Sequence, residues 1–283
     1  MRSLILFDLH YQDNNPLSRR QLDRIVETEG DFDSVILGGD NAELSSGLQN
    51  HKVLFERLKT RFDCPAGFIT GNHELWGKLA NLSSWRLINE IFPDLGKEYG
   101  FVHLEQRNLN VGDVSFVGTY GHFDYSFLRQ NKGVSMDELL KGIFVTEGKE
   151  ITWKDRLNMD WEGKRDEEVC AKLIKAFDER IKTSTGKSIS ISHTIPRLSL
   201  NGWPDSPAQY FMEVYSGSNL IGDVLEAHGG EYHFCGHTHA KARDKIGRTR
   251  VINLGSDYNI LRYAIFQKND RKCSVEESEV VIS

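Results

Sequence analysis

The stretch Leu4-Ile5-Leu6-Phe7-Asp8-Leu9-His10 starts with four apolar residues and ends in an Asp-x-His pair. The apolar run has the length and residue types of a buried strand. Two more runs of this kind follow. Ser34-Val35-Ile36-Leu37 is ended by Gly38-Gly39-Asp40, and Gly67-Phe68-Ile69-Thr70 by Gly71-Asn72-His73-Glu74. Helical patterns separate them. Pro16 can open a helix over Leu17 to Glu29, and a second, about His51 to Phe62, carries Leu54 and Leu58 one turn apart. Short apolar strands alternating with helices predict an α/β sheet covered on a face by helices.

Further along, Phe101 to Tyr120 holds two strand-like runs joined by Asn110-Val111-Gly112-Asp113, a hairpin signal. From 121 to 187 the pattern loosens into a stretch rich in aromatic and charged residues. It reads as an insertion or lid within one domain spanning residues 1–283. The stretch ends in an amphipathic helix, with Val169, Leu173, Phe177 and Ile181 repeating every four residues. Asp166, Glu167 and Glu168 suit that helix's N-terminus. Strand-like runs return at Ser188–Ser192 and Tyr232–Cys235, separated by a helix over Asn219–His228. From Arg243 onward hairpins are expected, the last turning at Asn269-Asp270.

Composition narrows the function classes. The net charge of −6 offers no broad attraction to nucleic acid or anionic lipid. Cys64, Cys170, Cys235 and Cys273 form no CxxC pair and read as reduced thiols. No run approaches the roughly 20 apolar residues of a membrane span, and Leu4–Phe7 is too short for a signal-peptide core. A cytoplasmic protein with no membrane partner is the expectation.

The chemistry concentrates where strands end. The five predicted ends carry Asp8 and His10, then Asp40, then Asn72 and His73, then His193, and last Gly236-His237-Thr238-His239. Ligands of open α/β sheets bind beyond the carboxyl ends of strands, so five such ends can converge on one crevice. Asp8 and His10, two apart, share a face if the backbone is extended, and His237 and His239 repeat the spacing. The glycines before Asp40, Asn72 and His237 permit a sharp turn or a close approach. Carboxylate, imidazole and amide together suit Mn, Fe or Zn, and suit the all-oxygen shell of Ca poorly. Singly, each cluster has a plain structural explanation. Gly-Gly-Asp is a common turn, Asn72 can cap a helix, and a lone histidine is commonly a hydrogen-bonded core or surface residue. Joint occurrence at strand ends favours a metal site.

The series Asp-x-His, Gly-Asp, Gly-Asn-His-Glu, lone His and Gly-His-x-His resembles the calcineurin-like metallophosphoesterase superfamily. The resemblance spans Asp8 to His239, and Asn253-Leu254-Gly255-Ser256 is similar to a segment that follows the last motif in many members. It implies a four-layer α-β-β-α sandwich, with two mixed sheets face to face, and a dinuclear centre of divalent or trivalent ions (Mn²⁺, Fe²⁺/Fe³⁺ or Zn²⁺). By motif, Asp8, His10 and His239 would hold one ion, Asn72, His193 and His237 the other, and Asp40 would bridge them. His73 matches the family's non-ligand histidine, which contacts the phosphate. The sequence departs from the family at Glu43, where the second motif has an Asp that orients this histidine. It also lacks the Asp-Arg-Gly of protein Ser/Thr phosphatases.

Two cations can clamp an in-line phosphoryl displacement and generate hydroxide near neutral pH. Hydrolysis of a small phosphate mono- or diester by that hydroxide is therefore expected, without a Ser or Cys nucleophile. His122 and Arg197 are candidate substrate contacts. Trp153, Trp161 and Trp203 either stack on substrate or pack a small lid. Two other readings stay open: a nuclease, and a scaffold that kept the fold without catalysis. From Phe123 to Cys170 there are eight Lys/Arg against eleven Asp/Glu, not the basic stripe of a nucleic-acid tracker. The scaffold reading conflicts with the filled ligand positions. Oligomeric state is not legible.

Overall fold

In the computed structural model, the first strand is buried on both faces. Leu4 and Leu6 pack with helix residues such as Leu22 and Leu54, while Ile5 and Phe7 pack with Phe116, Phe234 and Phe266. This alternation of period two makes the strand the divider between two cores. The structure describes residues 1–28, 30–44, 47–129, 132–270 and 272–282.

The strands run β1 (Arg2–Leu6), β2 (Ser34–Gly38), β3 (Ala66–Ile69), β4 (Phe101–His103), β5 (Leu109–Val111), β6 (Val114–Thr119), β7 (Ile143–Thr146), β8 (Lys149–Thr152), β9 (Lys187–Ser192), β10 (Tyr232–Cys235), β11 (Ala242–Ile246), β12 (Thr249–Asn253), β13 (Ile260–Asn269) and β14 (Lys272–Val281). One sheet has the order β14-β13-β1-β2-β3-β4 and the other β11-β12-β10-β9-β6-β5. Both are mixed. Parallel pairing links β1 through β4, with β13 antiparallel to β1. In the second sheet β6, β9, β10 and β12 pair in parallel, and β5 and β11 run antiparallel at the edges.

Ile5, Ile36 and Ile69 of the first sheet meet Phe116, Ile191 and Phe234 of the second in an apolar core between the sheets. The other face of the first sheet is covered by the helices Pro16–Val26, Gln49–Arg61 and Phe92–Tyr99 through Leu22, Leu58 and Leu95. The other face of the second is covered by Asp166–Lys182 and Asn219–His228 through Cys170, Phe177 and Leu225. The four-layer sandwich expected from the resemblance is the observed fold. The helix begun at Pro16 is capped by Asn15, whose side chain accepts from Leu17 and Ser18 N–H groups. It ends at Val26, and Glu29 lies outside the described residues.

The stretch 121–187 has two structural parts. Its last helix, Asp166–Lys182, crosses from β6 to β9, which are parallel neighbours, and so belongs to the outer layer. Parallel strands require such a crossover, and an amphipathic helix is its usual form. The remainder carries the β7–β8 hairpin and the helices Met136–Lys141 and Lys154–Asn158. It packs through a separate apolar cluster of Phe123, Leu139, Phe144, Phe211 and Tyr215. Gln130 and Asn131 of this stretch lie outside the described residues. Among the described residues no helix is long and apolar enough to cross a membrane.

His233 of β10 is fully buried between Ser190 and Ser192 of β9, with each hydroxyl 2.9 Å from one ring nitrogen. Burial pulls its imidazole down to about 3. The unfolded chain binds a proton here below about pH 6.5, and the folded chain does not until about pH 3. This contribution to stability is therefore full above pH 6.5. It falls by up to about 1.4 kcal/mol per pH unit as the pH drops between the two values. We expect His233→Gln to be less stable at pH 7 but to lose stability less steeply down to pH 4. Urea unfolding across that range measures both, and equal slopes would remove the assignment of a neutral buried imidazole.

Candidate metal centre

The ligand-type residues sit just past the strand ends, where the chain turns. Beyond β1 and β2 the two loops stay paired: Asp8 N–H donates to Gly39 at 3.1 Å, His10 to Asp40 at 2.8 Å and Tyr11 to Asn41 at 3.1 Å. The extended geometry expected for Asp8-Leu9-His10 is not what aligns these side chains. Asp8 (φ 53°), His10 (φ 43°), Asp40 (φ 47°), His237 (φ 69°) and His239 (φ 54°) all adopt left-handed backbone. A non-glycine residue held there costs of order 1–3 kcal/mol and persists only where its surroundings fix it. Close approach explains two glycines. A Cβ on Gly71 would lie 2.2 Å from the Asp40 amide nitrogen, and one on Gly236 2.5 Å from Asp8 Oδ2.

At Asp40 the fixing comes from Glu74, which is fully buried. Its carboxylate accepts from the N–H groups of Asp40 (3.0 Å), Asn41 (2.6 Å), Ala42 (3.1 Å) and Gly71 (2.7 Å), with His51 Nε2 at 3.3 Å. It thereby joins the loop after β2 to the loop after β3. The motif Gly-Asn-His-Glu contained this residue, but nothing in the sequence marked its acceptor role.

Around this frame the side chains converge. Asp40 is shared by two groups whose ligand atoms lie within 4.8 Å of one another: His10, Asp40 and His73, and Asp40, His193 and His237. His10 Nε2 lies 3.6 Å from Asp40 Oδ2, and His193 Nε2 lies 3.5 Å from Asp40 Oδ1. Asn72 Oδ1 is 2.9 Å from His193 Nε2 and 3.0 Å from His237 Nδ1. Asp8 Oδ1 is 3.9 Å from His193 Nδ1 and accepts from the His237 N–H at 3.1 Å. The His239 ring lies 5.3 Å from that of His10 and donates from Nδ1 to the Ser256 carbonyl at 2.5 Å.

Glu43 stands behind two rings, with its carboxylate 3.0 Å from His10 Nδ1 and 2.8 Å from His73 Nδ1. A proton on each Nδ1 leaves each Nε2 directed at the centre. The longer side chain at this position thus reaches His10 as well as His73. Burial raises the Glu43 carboxyl, but the hydrogen bonds from His10 and His73 outweigh it and bring it down to about 2. Burial likewise lowers His73, but Asp40 and the bond to Glu43 lift it to about 9. For Asp40, burial is outweighed by His193, His73 and His10, which hold it well below the usual carboxylate range.

This donor set fits a cation. His10 Nε2 and His237 Nε2 are buried polar atoms without a hydrogen-bond partner. Such atoms are costly unless something not of the chain satisfies them. Imidazole, carboxylate and one amide oxygen are ligands of borderline transition metals.

A cleft of about 340 Å³ opens over the centre and is lined by Asp40, Asn72, His73, His237 and His239. Its other walls are Trp76, Trp203, Met212, Tyr258 and the consecutive Thr152-Trp153-Lys154-Asp155. Tyr258 stacks on His10 at 4.7 Å, and Trp76 lies over His73 at 3.9 Å.

Two expected substrate contacts, His122 and Arg197, lie outside the lining of this cleft. His122 is fully buried, with Nε2 3.0 Å from Asp166 and Nδ1 3.4 Å from the Tyr120 hydroxyl. Its polar atoms anchor the strand end to the crossover helix. Arg197 pairs with Glu226 at 2.8 Å on the surface and does not line the cleft. Of the three tryptophans, Trp153 and Trp203 line the cleft, and Trp161 packs in the core beside Trp85. Sequence reasoning missed Trp76, Asp155 and Tyr258, which lack any local motif.

A family profile described as calcineurin-like phosphoesterase matches residues 1–241. The chain belongs to that family. It is a metal-binding phosphoester hydrolase. The phosphopantetheinyl hydrolase PptH of Mycobacterium tuberculosis superposes with a TM-score of 0.71 at 17% identity, covering 89% of this chain and 88% of that one. The sulfate thiohydrolase SoxB of Thermus thermophilus gives 0.50 at 12% identity, covering 99% of this chain and 56% of that one. At these identities the likeness concerns the fold. No functionally curated protein matches the sequence.

Two substitutions test the frame of this phosphoesterase. Glu74→Gln places an N–H₂ against backbone donors, and we expect about 2–4 kcal/mol lower stability by urea unfolding. Asp40→Asn removes the shared carboxylate, and elemental analysis should find under one ion per chain.

Proposed function

We propose that the phosphoesterase hydrolyses a small phosphate mono- or diester, a nucleotide or phosphorylated metabolite, at a dinuclear centre. The observation that carries this is the sharing of Asp40 between two groups of ligand-type residues beneath a cleft of about 340 Å³. That volume is within the range of small-molecule sites. The walls over the centre, and the acidic balance of the segment that supplies Thr152 to Asp155 among them, favour this reading over a nuclease that must admit a polymer.

In this reading Asp8, His10 and His239 would hold one ion, Asn72, His193 and His237 would hold the second, and Asp40 would serve both. Mn²⁺, iron or Zn²⁺ suits such ligands. The ions, when bound, polarise the phosphoryl oxygens and supply a nucleophile at neutral pH. The chain's own residues do the rest. His73 donates from Nε2 to the leaving oxygen. Glu43 accepts from His73 Nδ1 and fixes that orientation, and Trp76 packs on the ring and limits its rotation. Lys154, exposed at the rim of the cleft, attracts the anionic ester.

Two outcomes are expected. Chelation abolishes hydrolysis of chromogenic mono- and diesters, and Mn²⁺ restores it, whereas full activity of a stripped sample would refute metal dependence. His73→Asn keeps its metal content and KM but lowers kcat by about 10²–10⁴-fold. A Mn²⁺-loaded chain inactive on chromogenic esters and on a nucleotide panel would leave the proposal without support.

A further inference from the structure

The second group of ligands depends on an amide. Asn72 has an oxygen and an N–H₂ of nearly equal size, and a flip of the side chain exchanges them. With the oxygen inward, it meets His193 Nε2 and His237 Nδ1 at 2.9 and 3.0 Å. With the N–H₂ inward, it would offer donors where a cation needs a lone pair. The ligands themselves do not choose, since neutral imidazoles can accept as well as donate.

Asp155 makes the choice. It lies in the helix Lys154–Asn158, which follows the β7–β8 hairpin, and is 2% exposed. Its Oδ1 accepts from Asn72 Nδ2 at 2.9 Å and from Trp76 Nε1 at 2.6 Å. The Trp76 indole N–H can only donate, so it commits Oδ1 as an acceptor, and an acceptor can face only the N–H₂ of Asn72. A flipped amide would set its oxygen against this carboxylate. The indole N–H holds Oδ1 in place, because Trp76 is itself packed on His73.

We propose that Asp155 is a positioning residue that locks the Asn72 amide with its oxygen toward the centre, so that the segment over the cleft helps set the affinity of one of the two metal positions. The inference rests on reading the centre as a dinuclear metal site. Outer partners of this kind, when removed, typically cost 10–100-fold in metal affinity.

Calorimetric titration of the apo chain with Mn²⁺ tests it, since two binding steps can be read separately. In Asp155→Ala one step weakens by tenfold or more, and it is the step weakened in Asn72→Ala. The other step is unchanged. Asp155→Asn, which keeps an acceptor at Oδ1, retains an affinity between those of wild type and Asp155→Ala. The double variant Asn72→Ala/Asp155→Ala binds no more weakly than Asn72→Ala alone, because the two residues act through one ligand. Should Asp155→Ala fail to fold, Asp155→Asn against wild type still decides, as its loss must fall on one step. Unchanged affinities, equal weakening of both steps or additive losses in the double variant would overturn the inference while leaving the metal reading intact. A wild-type chain that binds no Mn²⁺ would overturn that reading, and the inference with it.

Discussion

The buried carboxylate of Glu74 is the constraint on which the centre depends. Two loops leaving adjacent parallel strands have no reason of their own to curl toward each other. Four backbone N–H groups from both loops, gathered on one carboxylate, give them that reason. The arrangement also solvates the charge. A buried carboxylate is tolerable only when donors replace the water it lost, and His51 completes the set. Asp40, one of these donors, and Asn72, which follows another, are placed as a consequence.

The left-handed residues follow from the same logic. Asp8, His10, Asp40, His237 and His239 each give up backbone comfort to aim a side chain inward. Strain of this kind is affordable only on a rigid base. The base is the inter-sheet core, where Ile5, Phe116 and Phe234 hold β1 and β10 in one packing arrangement. The histidines offset burial unevenly. At Asp40 and Glu43 the neighbouring imidazoles outweigh desolvation, whereas at Asp8 burial prevails and raises the carboxyl.

The segment between β6 and the crossover helix has a different physical character. Its own apolar cluster anchors it through Phe123, Leu139 and Tyr215, and it adds walls rather than strand-end ligands. It touches the centre at few points, of which Asp155 is the most direct. A fixed catalytic floor below an exchangeable wall is a common way for one fold to serve different substrates.

The strands, the hairpin at Gly112-Asp113 and the helix from Asp166 were legible because period and turn chemistry are local properties. The ligand-type residues were legible because each stands beside a glycine or at a strand end, within a few residues of its signal. Other features were not. Asn72 and Asp155 are 83 residues apart, and Tyr258 reaches His10 from the far end of the chain. His122 appeared to belong to the cleft because it follows a strand end, yet its left-handed backbone and the Asp166 carboxylate turn it into the protein. By itself, the sequence determined the strands, their ends and the chemistry gathered there. Tertiary structure alone decided which side chains face the centre, because that direction is set by hydrogen bonds and packing between segments that no local pattern connects.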